Sequence, residues 1–245
     1  MDERGLWGER LMAEPKVSVV IPTYNHAHYV TLAVESVLRQ DYGNLEVLVI
    51  DDGSTDETQQ RLKPYFSRIR YFSKKNGGTP NALNYGLARA EGDYICWLSA
   101  DDLFLGRKIS KQVELMARHP EMGFSYTAFT VIDGNGVQQY AVDSPYYPEK
   151  KDLVRQLAKG CFINGSSVMM RRVAMEKVGF FDEGLPQAHD YDLWVRFLRH
   201  YDCGYLRNYL LAYRWHGENM SRNPDYECIR IVQERIKTLF PEWVN

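Results

Sequence analysis

Short apolar runs alternate with amphipathic stretches through the first hundred residues, and this alternation constrains the chain more than any other feature. Val17 to Ile21 is an apolar run, with Ser18 its one polar residue, stopped by Pro22. It reads as a strand buried on both faces, the pattern of parallel sheets. Val30, Ala33, Val34, Val37 and Leu38 follow at helical spacing. Leu45 to Ile50 is a second buried strand, closed by Asp51-Asp52-Gly53-Ser54. Ser54 and Glu57 have capping-box spacing and predict a helix running towards Pro64. Ile69 to Phe72 is a third, short strand. In the turn Asn76-Gly77-Gly78-Thr79-Pro80, Thr79 and Pro80 fit an N-cap and first helical residue. The helix that follows carries Leu83, Leu87 and Ala88. Tyr94 to Leu98 is another buried strand, ending at Ser99-Ala100-Asp101-Asp102.

Such alternation predicts an α/β fold with a doubly wound, mostly parallel sheet. Ligands of these sheets bind beyond the carboxyl ends of the strands. Thr23-Tyr24-Asn25, Asp51-Asp52 and Asp101-Asp102 all fall there. After residue 105 the pattern becomes mixed. A helix is expected over Lys108 to Arg118 and a strand over Phe124 to Ile132. Asp133-Gly134-Asn135-Gly136 is a hairpin-turn signal. Further strands are expected at Val168 to Met170 and Tyr205 to Tyr213, and helices from near Asp190 and over 226–240. No linker separates the halves. The reading is one contiguous domain, 16–104 and 105–245, with 1–15 as a loose lead-in.

Composition removes several function classes. The 245 residues carry 30 Lys plus Arg against 32 Asp plus Glu, a net charge of -2, which argues against nucleic acid as a partner. None of the four cysteines lies in a C-x-x-C pair, so a zinc knuckle or thioredoxin site is not expected, and reduced thiols fit a cytoplasmic protein. The first sixteen residues contain no apolar signal core, and no apolar run approaches the roughly 18–20 residues that span a bilayer. Any membrane attachment is therefore expected to be peripheral, at the inner face, or through a partner.

Asp101 and Asp102 are adjacent carboxylates at a strand end and repel each other unless a positive group lies beside them. A hard divalent cation shared with a substrate phosphate is one solution; a plain helix cap is the other. Asp51-Asp52-Gly53-Ser54 reads either as an acceptor for a base N–H or ribose hydroxyl, or as an Asx turn. There is no G-x-x-x-x-G-K-[ST] loop and no G-x-G-x-x-G after the first strand.

The segments VSVVIPTYN, LEVLVIDDGSTDET, NGGTPNALNYGLARAEGDYICWLSADD, FDEGLPQAHDYDLWVRF and YRWHGENMS occur in that order. Together they resemble a family 2 glycosyltransferase with the GT-A fold, from about Lys16 to Ser221. The resemblance implies a Rossmann-like sheet flanked by helices, a donor-binding half over 16–104 and an α+β acceptor-side extension over 105–245. Pro22, Thr23 and Tyr24, with Asp52, match the nucleotide-base pocket. Asn76, Gly77 and Asn84 match the segment beside the ribose and diphosphate. Ser99-Ala100-Asp101 matches the family's D-x-D, with Ser99 in place of the first acid. Ala100 then lies among the donor contacts, Asp101 holds Mn2+ or Mg2+, and Asp102 is placed to hold the donor sugar. His216 resembles the C-terminal residue that completes a metal or phosphate site. Asp190 matches the catalytic base of inverting members, with His189 where the family often has Glu; Asp192, half a turn further on, is the less favoured candidate.

These roles imply transfer of a sugar from a nucleoside diphosphate, of the UDP or dTDP class by family habit, to a hydroxyl of a glycan, lipid-linked glycan or other glycoconjugate. Asn164-Gly165-Ser166-Ser167 is expected to line the acceptor side, with Asp143 to Pro148 as a mobile loop over it. The final helix is a candidate homodimer contact. Two rival readings are a nucleotidyltransferase, whose triphosphate loop is missing after Ile21, and an inactive nucleotide-sugar-binding partner subunit, which Ser99 and His189 keep open.

Overall fold

The computed structural model describes residues 14–244. The alternation expected over the first hundred residues is present: β1 (Val17–Thr23), α1 (Val30–Leu38), β2 (Leu45–Asp51), α2 (Thr58–Leu62), β3 (Arg70–Ser73), α3 (Thr79–Leu87) and β4 (Tyr94–Trp97). The remainder runs β5 (Leu103–Phe104), α4 (Lys108–Arg118), β6 (Met122–Ile132), β7 (Gln138–Val142), α5 (Lys150–Leu157), β8 (Met169–Arg171), α6 (Arg172–Val178), α7 (His189–His200), β9 (Asp202–Arg214), α8 (Tyr226–Leu239) and α9 (Pro241–Val244). Most of the expected lead-in, residues 1–13, lies outside the described residues. No helix among the described residues is long and apolar enough to cross a membrane.

One sheet unites the halves, in the order β3-β2-β1-β4-β8-β6-β9-β5, with β7 paired to β6. From β3 to β4 the strands are parallel. Beyond β4 the sheet turns mixed: β8 is antiparallel to β4 and β6, whereas β9 runs parallel to β6. The two faces carry separate cores. Val17, Val19 and Ile21 of β1 pack towards Val34 and Val37 of α1. Val20 points the other way, to Leu83 and Leu87 of α3. A strand that is mostly apolar on both faces is therefore explained by helices on both sides.

Two expected caps are not made. No side chain caps α2. The Ser54 hydroxyl instead accepts from Asn25 N–H at 2.9 Å, and Asp56 accepts from Thr58 N–H at 2.9 Å. Thr79 lies inside α3, and Gly78 caps it at φ +85°. At Ser54 a tertiary bond between loops displaces the local one.

The part of the chain after residue 105 is held by a charged clamp. Asp192 of α7 is fully buried and accepts from Arg196 at 2.8 Å and Arg235 of α8 at 2.7 Å. Arg235 also reaches Asp182 at 2.8 Å. Removing one cation leaves a buried carboxylate oxygen unpaired. Arg235→Met is expected to cost about 2 kcal/mol in urea denaturation. The ion pair with Arg235 holds the Asp182 pKa below the ordinary aspartate value of 3.8. Its stabilisation is therefore present above that value and lost as pH falls through the lower, folded-state pKa. Wild type and Arg235→Met should accordingly converge in stability in acid.

Candidate active site

Three loops converge at the carboxyl ends of β1 and β2. Asn25 adopts φ +56° just past β1, and its side chain accepts from Thr55 N–H at 2.8 Å. That tie fixes the turn that presents His26. Pro22 is half-buried, Thr23 is buried and Tyr24 is exposed. Asp51 faces inward, accepting from Ser54 N–H at 2.8 Å and Tyr71 OH at 2.6 Å.

The sequence reading puts Asp52 against a nucleotide base. In this structure both its oxygens are engaged by the protein. They accept from Lys74 Nζ at 2.5 Å, Gly77 N–H at 3.0 Å and Gly78 N–H at 2.8 Å. Asp52 thus gathers the 74–78 loop, leaving Asn76 exposed at its tip. A Cβ on Gly77 would strike the Asn81 side chain. Asn84, expected beside the ribose, pins the 181–183 segment instead. It donates to Phe181 O and Glu183 at 2.9 Å each and accepts from Phe181 N–H at 3.0 Å.

The adjacent carboxylates after β4 part company. Asp102 turns in and is 1% exposed. It accepts from Ser166 Oγ at 2.8 Å and Arg214 N–H at 2.9 Å. Burial, and then the charge of Asp101, push its pKa well above the ordinary value. Asp102 therefore joins three chain segments, and its carboxylate does not face a donor sugar as the sequence reading expects. Ala100 is buried as well. Ser99 donates its N–H to Ser166 Oγ at 3.1 Å, so the position of the missing acid faces the 164–167 turn.

Asp101 turns out and meets two imidazoles. Donor atoms of His26, Asp101 and His216 all lie within 4.8 Å of one another. His26 Nδ1 sits 3.0 Å from Tyr24 O. A carbonyl only accepts, so Nδ1 carries the proton and Nε2 keeps its lone pair, the arrangement of a metal-ligating histidine. Burial also lowers the His26 pKa and favours the neutral ring. His216 Nδ1 accepts from Glu218 N–H at 3.2 Å, so the neutral ring carries its proton on Nε2, 2.9 Å from Asp101. The trio fits a divalent cation, with His26 and Asp101 ready and His216 joining once its proton moves from Nε2 to Nδ1, which gives up the bond from Glu218 N–H. The sequence analysis missed His26. The signal was present, because His26 follows Asn25 at a strand's carboxyl end, among the clusters already singled out.

At the start of α7, Ala188 takes φ +57° and turns the chain into the helix. Among the described residues Asp190 accepts only from Tyr191 N–H, at 2.8 Å, whereas Asp192 is buried in its clamp. Of the two acids, Asp190 is the one left partly open. His189 is 4% exposed, and neither ring nitrogen has a hydrogen-bond partner among the described residues. Its ring packs on Trp97 at 5.7 Å and Phe181 at 5.5 Å, and burial lowers its pKa. Because Trp97 closes β4, this packing holds His189, the residue before Asp190, against the strand that leads to Asp101.

The family model for glycosyl transferase family 2 matches residues 18–179. The chain belongs to glycosyl transferase family 2. An uncharacterized glycosyltransferase of Rickettsia typhi is 39% identical over 188 residues, covering 76% of this chain and 59% of that protein. The chain spans between 31% and 59% of the length of the rickettsial relatives it matches. The Escherichia coli UDP-Glc:alpha-D-GlcNAc-diphosphoundecaprenol beta-1,3-glucosyltransferase WfgD is 28% identical, over 87% of this chain and 83% of its own length. S. aureus TarS 1-349, in complex with UDP-GlcNAc, superposes with a TM-score of 0.70 at 18% identity, covering 93% of this chain and 71% of that one. The Pyrobaculum calidifontis mannosyltransferase PcManGT, in complex with GDP-Man and Mn2+, gives 0.65 at 19%, covering 94% and 64%. These likenesses show the GT-A fold.

Asp52 is expected to order its loop. In Asp52→Ala, Gly77 and Gly78 lose the acceptor for their amides, and hydrogen exchange across 74–80 should quicken about tenfold or more relative to wild type. Unchanged exchange would mean that the loop holds itself.

Proposed function

We propose that this chain transfers a sugar from a nucleoside diphosphate sugar, of the UDP or dTDP class, to a hydroxyl of a glycan or lipid-linked glycan, with inversion at the anomeric carbon. The observation that carries the reading is the convergence of His26, Asp101 and His216 beside β4, with the partly open Asp190 packed against the same strand end through His189 and Trp97. Membership of a glycosyltransferase family supports the reaction class. A nucleoside diphosphate sugar donor is supported by structural neighbours in complex with UDP-GlcNAc or GDP-Man, and the UDP class by the TarS complexes with UDP and UDP-GlcNAc. The name of the E. coli relative, which acts on a diphosphoundecaprenol-linked sugar, supports a lipid-linked acceptor.

Asp190 takes the proton of the acceptor hydroxyl as attack begins. A hydroxyl is too weak an acid to ionise first, so proton removal is concerted with attack. With one base and no protein nucleophile, a single displacement inverts the anomeric centre. His26, Asp101 and His216 hold the divalent cation, which when bound offsets the negative charge gathering on the leaving diphosphate. Two nitrogen donors favour Mn2+ over Mg2+. Where the family motif has its first acid, this chain has Ser99, and the His26 imidazole supplies the further donor. The 74–78 loop, gathered by Asp52, and Tyr24 border the nucleotide. Asp102 and Asn84 act as positioning residues for β4 and the 181–183 segment.

The rival partner-subunit reading predicts nucleotide binding without turnover. Thermal unfolding with UDP, dTDP, GDP and CDP, with and without manganese, tests the donor site, because a ligand that binds only the folded chain raises its apparent stability. UDP or dTDP is expected to stabilise, and more so with manganese; no shift with any nucleotide would overturn the assignment. Asp101→Ala should erase the manganese-dependent part of the shift. Asp190→Asn should keep the nucleotide shift and lower sugar transfer about a thousandfold; full transfer in that variant would sink its role as the base.

A further inference from the structure

On the same face of the sheet as α7, the segment after β7 walls a cavity of about 450 Å³ lined by Asp143, Ser144, Pro145, Tyr146, Tyr205 and Arg207. Tyr146 is 57% exposed, and its ring lies 20° from parallel to that of Tyr205, with centroids 6.1 Å apart. Arg207 pairs with Asp143 at 2.6 Å, and Tyr205 donates its hydroxyl to the same carboxylate. Ser144 is 3% exposed, and its hydroxyl has no partner among the described residues. The wall is built, since the buried Tyr126 donates to Pro145 O at 2.7 Å and packs on Tyr205 at 4.9 Å.

The lining selects a chemical class. Flat, partly open tyrosine faces suit the apolar C–H face of a pyranose ring. A carboxylate and a guanidinium side by side offer acceptors and donors for vicinal hydroxyls. Because Asp143 already neutralises Arg207, no cation is left over for a phosphate and no carboxylate for an amine. A neutral polyhydroxyl ligand meets these conditions.

The cavity also connects to the proposed site. Tyr126 lies 6.2 Å from Phe162, which in turn packs 5.9 Å from Tyr147 of the cavity segment. Phe162 follows Cys161, whose thiol feels the charge of Asp190. Tyr191, next to Asp190, donates its hydroxyl to Leu157 at the end of α5. An aromatic wall therefore runs from Phe162 to Tyr146, and Leu157 and Cys161 join its inner end to the start of α7.

We infer that this cavity is a subsite for a further sugar unit of the acceptor, one that does not receive the transferred group. The inference rests on the reading of the chain as a glycosyltransferase with a glycan acceptor. It explains why Tyr146 and Arg207 stand open at the surface of this half while the aromatic residues behind them are packed.

The test is saturation-transfer NMR on the full chain with N,N′-diacetylchitobiose, cellobiose and lactose as probes. At least one disaccharide is expected to bind wild type, with its signal about fivefold or more weaker in both Tyr146→Ala and Arg207→Ala. Both side chains are largely exposed, so both variants are expected to fold, as circular dichroism would register. Thermal shifts with UDP and manganese, run in parallel, separate this inference from the proposed function. Binding of no disaccharide, or equal binding by wild type and both variants, overturns the subsite even where UDP stabilises the chain. Disaccharide binding that depends on Tyr146 and Arg207, without any nucleotide shift, upholds a carbohydrate subsite and overturns the donor reading.

Discussion

The buried carboxylate of Asp102 is the contact on which the rest of the site depends. Two acids in succession at a strand end cannot both face the same way without repelling each other. Here one turns inward and the other outward. Asp102 is taken up by Ser166 Oγ and Arg214 N–H, which belong to the turn before β8 and the end of β9. Burying it carries a cost, visible in its raised pKa, and the two donors offset part of that cost. The result is that Asp101 is aimed at His216.

Arg214 completes the junction. It is 2% exposed, and its guanidinium donates to the carbonyls of Asp101, Asp133 and Gly134 while lying 4.7 Å over the Tyr29 ring. Asn219 then bonds Arg214 O and His216 N–H, folding the 214–219 segment back onto β4. A site of this kind is assembled from segments 26, 101 and 214–219. No local interaction holds them together; buried polar bonds between strand ends do.

Much of the fold was legible because strands buried on both faces are written as runs dominated by apolar residues. That held for β1, β2 and β4, and the helical spacing of Val30, Val34 and Val37 placed α1. The shorter or polar elements were not visible. β5 is two residues long, and its pairing with β9 exists only in the folded chain. β7 is mostly exposed and lacks an apolar face. The cap expected of Ser54 failed because its hydroxyl is bonded to Asn25, a partner from another loop. Of the candidate site residues, Asp101, His216 and Asp190 were singled out from the motif residues, and the structure brings Asp101 and His216 together. His26 was not singled out, because a lone histidine after a strand acquires meaning only from what stands opposite it.

The sequence by itself determined the layered α/β architecture, the family resemblance and the ends of the strands at which polar groups collect. These follow from periodicity and local chemistry, which depend on near neighbours along the chain. Only the tertiary structure decided which of two adjacent aspartates faces out, which of Asp190 and Asp192 is buried by arginines, and that His26 joins Asp101 and His216. Those outcomes depend on burial and on partners far away in sequence, such as Asp101 and His216, 115 positions apart, and burial is a property of the packed chain alone.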